Sequence, residues 1–272
     1  MKKFLIRTAS AIVFAAILLG TIYLGKLWML VALGFFLCVA LFEMKHFVTF
    51  KTIIPYILIG AFFYVLGVAA GAEYTYRQWA AIIVIFAIAF LCLLMMQNNY
   101  PEKPFIFKTF ALFYLTVPFI LFNTLPQFSE KMGQVSYFIP YCLLATIWIG
   151  DATAYIIGSL CGKHPMAKKI SPHKTWEGFF GGLVFVIITS IILSYLFNIQ
   201  VGINQWLFWL LFCLITYLTG TLGDLFESKL KRTADIKDSG NLMPGHGGAF
   251  DRFDSFLLSV PCIIIFLLTV LY

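Results

Sequence analysis

The strongest constraint on this chain is a succession of long apolar runs joined by short polar connections. A membrane helix needs about 20 mainly apolar residues, because in lipid every backbone polar group must be paired within its own segment. Nine stretches meet or approach that length: roughly residues 8–23, 27–42, 54–72, 79–96, 107–122, 137–157, 178–197, 203–222 and 255–272. The first, second and fifth are short, which points to a tilted or re-entrant segment or to merging with a neighbour. The chain is 61% hydrophobic and 11% charged, whereas soluble domains average about 45–50% and 25%. An ordinary soluble domain is excluded. The pattern predicts an all-α, polytopic integral membrane protein of about nine transmembrane helices.

Lysine and arginine concentrate in the cytoplasmic loops of membrane proteins. With the N-terminus placed inside, only Lys26, Arg77 and Lys131 of the nineteen basic residues fall on the outer side of the nine-span scheme. A cytoplasmic N-terminus is therefore expected. The formal charge of +7 does not read as a nucleic-acid footprint, because the basic residues sit at the ends of apolar runs rather than in a stripe with interleaved aromatics. The start, Met1-Lys2-Lys3 with Arg7 before an apolar run, resembles a signal peptide. That run is long for an h-region and lacks a small-x-small site, so it is expected to remain as a helix. The six cysteines are widely spaced without a CxxC pair, which argues against a disulfide frame or zinc site and for core filling.

The acids are unevenly placed. Of twelve, only Glu43, Glu73, Glu102 and Glu130 precede position 151, and all four read as loop acids. Residues 1–135 are therefore expected to form a scaffold of about five helices. Residues 136–272 would then form a catalytic domain of about four, with its functional groups at the cytoplasmic face. No internal repeat is visible, which disfavours a transporter built from duplicated halves.

Three clusters carry the chemistry. Asp151, in Gly150-Asp151-Ala152-Thr153-Ala154-Tyr155, is an acid near the end of an apolar helix and needs a partner, a cation or water. Lys163 to Gly182 reads as a cationic loop with a Ser171-Pro172 turn, entering a helix at Thr175 as N-cap with Glu177 in its first turn. Lys168, Lys169 and Lys174 beside that helix N-terminus would suit an anion. His46, His164 and His173 in the basic loops read as plain solvated or headgroup-facing residues.

The third cluster, Gly223 to Ser255, is the most informative. If the eighth span continues as a helix beyond the membrane, Asp224, Glu227, Ser228 and Lys231 share one face, and Asp251 and Asp254 lie one turn apart. Between them is Pro244-Gly245-His246-Gly247-Gly248, a turn whose amides could approach an anion closely. Carboxylates at one-turn spacing suit a hard cation such as Mg²⁺, and flanking Lys231, Arg232, Lys237 and Arg252 would hold phosphate oxygens. No Walker loop, GxSxG elbow or zinc-ligand spacing occurs. Acid, base and glycine at a lipid surface point to phosphoryl or nucleotidyl transfer on an amphiphile.

These residues resemble the phosphatidate cytidylyltransferases, also called CDP-diacylglycerol synthases. The resemblance runs through Ser228-Lys229-Leu230-Lys231-Arg232, Lys237-Asp238-Ser239-Gly240, the Pro244 to Gly248 turn and Asp251-Arg252-Phe253-Asp254. Gly150-Asp151, Tyr155, Gly162-Lys163, Ser171-Pro172, Lys174-Thr175 and Gly223-Asp224 extend it upstream, so it covers roughly residues 150–255. Met243 and Ala249 depart mildly from the family pattern and bear on packing rather than chemistry. The resemblance implies Mg²⁺-dependent conversion of CTP and phosphatidate to CDP-diacylglycerol and pyrophosphate at the cytoplasmic face of the cell membrane. It maps metal ligands onto Asp224, Asp251 and Asp254, with Asp151 and Asp238 as further candidates. Lys231, Arg232, Lys237, His246 and Arg252 complete the implied catalytic set, and Lys163, Ser171, Lys174, Thr175, Ser228, Gly247 and Gly248 the substrate-binding set. A K⁺ ion beside the Mg²⁺ and a homodimer are further expectations of the same resemblance, while lipid surroundings and no nucleic-acid partner are expected from the composition and the placement of the basic residues. Two competing readings are a cation-coupled transporter, motivated by Asp151, and a CTP-dependent lipid kinase that would move the γ-phosphate.

Overall fold

Apolar sequence in lipid has one economical way to pair its backbone, and helices dominate the result. The computed structural model describes residues 2–44, 54–70, 104–199, 201–233, 236, 239–240 and 247–271. Its helices are α1 (Lys2–Leu24), α2 (Lys26–Glu43), α3 (Ile54–Ala70), α4 (Pro104–Phe122), α5 (Leu125–Lys131), α6 (Phe138–Cys161), α7 (Trp176–Leu196), α8 (Gln205–Thr233) and α9 (Phe250–Leu271). Among the described residues six helical segments are long and apolar enough to cross a membrane, which makes this a multi-pass membrane protein. The expected span at 79–96, with Arg77 before it, lies outside the described residues.

Several boundaries differ from expectation. The short α5 falls where a connecting loop was expected, after a break at Asn123 and Thr124 whose Oγ1 donates to Leu121 O at 2.5 Å. The eighth span does continue as a helix, to Thr233, while the last begins at Phe250 rather than near Ser255. The cationic stretch after α6 is a β-hairpin, β1 (Pro165–Ala167) with β2 (Ser171–Thr175), antiparallel with Pro165 opposite Thr175 and Ala167 opposite Ser171. Its turn is at 168–170, closed by Ile170 N donating to Ala167 O at 3.1 Å. Ser171-Pro172 starts the second strand instead of forming the turn. Proline fits there because a two-stranded ribbon leaves an edge free of ladder bonds.

The chain divides into two compact units: Met1–Thr124 together with Leu230–Phe253, and Leu125–Lys229 together with Asp254–Tyr272. In the first, Gly25 at φ 105° reverses the chain between α1 and α2, a backbone that side-chain-bearing residues rarely adopt. Phe14, Leu18 and Ile22 line the buried stripe of α1 at four-residue spacing. Phe253 sits among Phe14, Phe36 and Phe119, with ring centroids 5.7, 5.5 and 5.0 Å away. Such tilted and edge-on aromatic pairs add to area burial. Tyr64 donates to Leu30 O at 3.0 Å and accepts from Asn123 Nδ2 at 2.7 Å, tying α2, α3 and the end of α4 together.

In the second unit, α6 and α7 approach almost backbone to backbone. A Cβ on Gly178 would lie 2.6 Å from Ala154 O and 3.0 Å from the Gly158 Cα, and one on Gly150 would lie 2.6 Å from Tyr217 Cδ2. Tyr217 donates to Phe179 O at 2.7 Å. Small residues at a helix crossing are how membrane helices gain packing energy where water-driven burial is absent. Gly178→Val should therefore destabilise the protein by about 1–3 kcal/mol or more through overpacking. Thermal unfolding in detergent checks this; an unmoved midpoint would mean the contact is looser than drawn. Cys142 and Cys213 are buried, in keeping with core filling, while Cys161 is exposed at the end of α6.

Candidate active site

The acids of the second unit are drawn together by close contact between α8 and α9. Gly220 and Gly223 on α8 face Ser259, Ser255 and the Asp254 backbone; a Cβ on Gly223 would lie 2.6 Å from Asp254 O. Ser259 Oγ donates to Thr216 O at 3.0 Å and accepts from Thr219 Oγ1 at 3.3 Å. With the helices clamped there, Asp224, Glu227 and Asp254 each offer an oxygen within 4.8 Å of the others. Asp224 and Asp254 are half-buried, and Glu227 is fully buried. Lys174, on β2, forms an ion pair with Asp224 Oδ2, and Ser228 Oγ donates to Asp224 Oδ1 at 3.4 Å. Like charges held this close repel, so the set calls for a cation, and its all-oxygen donors fit a hard divalent ion.

Two of the three expected metal ligands are thus brought together, with Glu227 as the third carboxylate. The sequence placed Glu227 on the right face of α8 without assigning it to the metal set. Asp151 is exposed on α6 and outside this trio, with Ser255 Oγ donating to its Oδ2 at 3.3 Å.

The hairpin that carries Lys174 is fastened to α7. Thr175, in extended conformation, accepts from Gly178 N at 3.2 Å and is the N-cap expected from the sequence. Glu177 in the first turn takes three donors from the chain entering the hairpin: Lys163 N at 3.1 Å, His164 N at 3.2 Å and His164 Nδ1 at 2.5 Å. His164 is thus a hydrogen-bond partner of Glu177 at the hairpin base, although its ring is 77% exposed. Lys163, Lys168 and Lys169 are exposed, the last two at the hairpin tip, and Ser171 is half-buried at the start of β2.

In the first unit a second constellation forms around Asp251. Its Oδ1 accepts from Lys231 Nζ at 3.0 Å, and its Oδ2 from Ser239 N at 3.0 Å and Gly248 N at 2.8 Å. Asp251 is 8% exposed. Gly247 has φ 90°, the left-handed region that glycine alone enters without strain. The glycine turn was expected to offer its amides to a bound anion; the Gly248 amide here reaches the chain's own Asp251. Arg232 is exposed, with Nη1 donating to Ile236 O at 3.4 Å, and Arg252 is exposed on the first turn of α9. Lys237, Asp238 and His246 lie outside the described residues.

One participant has no local signal in the sequence. Glu43, read as a loop acid, is 4% exposed and accepts from Ser239 Oγ at 3.0 Å, Ala249 N at 3.0 Å and Phe250 N at 2.9 Å. Those two amides would otherwise be unpaired donors at the start of α9, which explains why that helix begins earlier than its apolar run.

A multi-pass protein with an acidic, lysine-flanked centre at its helix ends fits an enzyme acting on charged amphiphiles, and comparison with known proteins agrees. Residues 5–270 match the cytidylyltransferase family. The chain is 32% identical over 266 residues to a phosphatidate cytidylyltransferase of Staphylococcus haemolyticus (strain JCSC1435), covering 97% of this chain and 98% of that one. It is 32% identical over 261 residues to the phosphatidate cytidylyltransferase of Bacillus subtilis (strain 168), covering 94% of each. A Staphylococcus aureus (strain COL) protein of the same name is 31% identical over 266 residues. This chain belongs to the cytidylyltransferase family.

Proposed function

We propose that this chain is a phosphatidate cytidylyltransferase, converting CTP and phosphatidate to CDP-diacylglycerol and pyrophosphate for phospholipid biosynthesis. The observation that carries the reading is the convergence of Asp224, Glu227 and Asp254, with Lys174 against them, in a chain of this family. The carboxylates would hold Mg²⁺, which, when bound, neutralises nucleotide phosphate charge and favours departure of pyrophosphate. Asp251, with Lys231 against it, holds the Gly248 turn; the family resemblance also makes it a ligand candidate, as it does Asp151 and Asp238.

The chemistry asks for charge control more than for proton transfer. The second pKa of a phosphate monoester is near 6, so phosphatidate is mostly dianionic at neutral pH and needs no general base. Its phosphate oxygen forms a bond to the α-phosphorus of CTP as the bond to the β-phosphate oxygen breaks, and pyrophosphate carries away the electron pair. The family resemblance gives the holding of phosphate oxygens to Lys174, which the second unit pairs with Asp224, and to Lys231, Arg232, Lys237 and Arg252, of which Lys231 is paired with Asp251 in the first. Lys163, Ser171, Thr175 and Ser228 in the second unit, and Gly247 and Gly248 in the first, are the substrate-binding candidates that the family resemblance implies, and His246 precedes Gly247 in sequence.

The distribution of basic residues supports nine spans, a cytoplasmic N-terminus and a site facing the cytoplasm of the cell membrane. A K⁺ ion beside Mg²⁺ and a homodimer belong to the same reading. Incubation of detergent-purified protein with Mg²⁺, phosphatidate and CTP labelled at the α- or γ-phosphate tests it. Label should enter the lipid phase only from α-labelled CTP; γ-label in lipid would make the protein a lipid kinase, and no label in lipid would contradict both.

A further inference from the structure

We infer that Glu43, at the C-terminal end of α2, is a positioning residue for the reaction, acting by locking Ser239 and residues 249–250 at the first turn of α9; the inference rests on the activity proposed above. Glu43 and Asp251 interlock on one stretch of chain. Ser239 gives its hydroxyl to Glu43 and its amide to Asp251. The Gly248 amide then goes to Asp251, and the next two, of Ala249 and Phe250, go to Glu43. Both oxygens of the buried Glu43 carboxylate are engaged, across 196 to 207 positions of sequence. The glycines belong to the same lock. A Cβ on Gly240 would overlap Glu43 Oε1, and one on Gly248 would overlap Glu43 Oε2 and Ser239 Oγ. The two glycines thus leave the space that the Glu43 carboxylate and the Ser239 hydroxyl occupy.

The consequence is directional. The residue after Phe250 is Asp251, and the next is Arg252. An acceptor that fixes the amides of Ala249 and Phe250 sets where the first turn of α9 starts, and with it the directions in which those two side chains leave the backbone. An anionic acceptor at this end is also favoured by the helix dipole. Glutamine has nearly the same volume but presents an N–H₂ group to one of the two amide donors, so Glu43→Gln keeps the packing and breaks the lock.

The experiment compares wild-type protein with Glu43→Gln and Ser239→Ala, each purified in detergent, by three readouts: steady-state kinetics with α-labelled CTP, thermal unfolding, and hydrogen exchange of the peptide covering 247–253. Partners that orient a catalytic group typically matter by about 10–100-fold. Glu43→Gln should lower kcat by that factor with the KM for phosphatidate unchanged, the unfolding midpoint within a few degrees, and faster exchange at 249–250. Ser239→Ala, which removes one bond to Glu43, should give a smaller fall in kcat, and it decides the matter if Glu43→Gln does not yield folded protein. Wild-type kcat in both variants overturns the inference, as does a loss of rate that only tracks loss of folded protein. An inactive wild type with accelerated exchange in Glu43→Gln would sink the proposed activity while leaving the lock in place. Unchanged exchange would remove the lock.

Discussion

Asp224→Asn and Asp254→Asn should each lower cytidylyl transfer by on the order of 10²–10³-fold, the usual cost of deleting one charge-stabilising element in an active site. Asp224, Glu227 and Asp254 bring their oxygens within 4.8 Å of one another, and asparagine preserves the shape of each side chain while removing its charge. A hard divalent cation prefers anionic oxygens, so the neutral amide weakens its hold. Folding should survive, because replacing one acid of a crowded trio relieves repulsion, which for Asp224 offsets the loss of its partly exposed pair with Lys174. Asp151→Asn, outside the trio and beside Ser255, should cost less. Initial rates with α-labelled CTP across a Mg²⁺ titration check this: a loss under tenfold for both variants would remove them from metal binding.

Lys231→Met should destabilise the protein by about 3–5 kcal/mol, the typical result of removing one partner of a buried ion pair. The Lys231 and Asp251 side chains are 14% and 6% exposed, with Nζ 3.0 Å from Oδ1. The variant leaves the Asp251 carboxylate in place with the facing ammonium gone. Adding Asp251→Asn should recover part of the loss, since a neutral amide oxygen can still accept from Ser239 or Gly248 without a buried charge. Thermal and denaturant unfolding in detergent measure both; equal midpoints for wild type and Lys231→Met would show that the pair contributes nothing to stability.

Much of this was legible in sequence because lipid imposes a strict rule on the backbone. Every expected span within the described residues coincides with a helix, although α1 begins six residues before its expected span, α8 runs eleven residues past its own and α9 begins five residues early. The one-turn spacing of Asp224 and Glu227 needed only helical continuation through 233 to become a shared face. The N-cap at Thr175 was legible for the same local reason. What escaped was tertiary. Nothing near Glu43 signals that it caps a helix beginning at Phe250, since its partners lie some two hundred positions away. The Gly248 amide was read as a site for a ligand anion, yet the anion it reaches is Asp251. The hairpin at 165–175 lacks the Asn-Gly or Asp-Gly pair that usually marks such a turn, having Lys168, Lys169 and Ile170 instead.

Metal held by acidic side chains is central to the proposed activity, and Mn²⁺ reports on it directly as a paramagnetic substitute for Mg²⁺. Binding of Mn²⁺ with CTP to the purified protein, followed by electron paramagnetic resonance, should show a bound ion in the wild type. That signal should weaken at least tenfold in affinity in Asp224→Asn and in Asp254→Asn. Equal Mn²⁺ affinity in all three proteins would contradict the account.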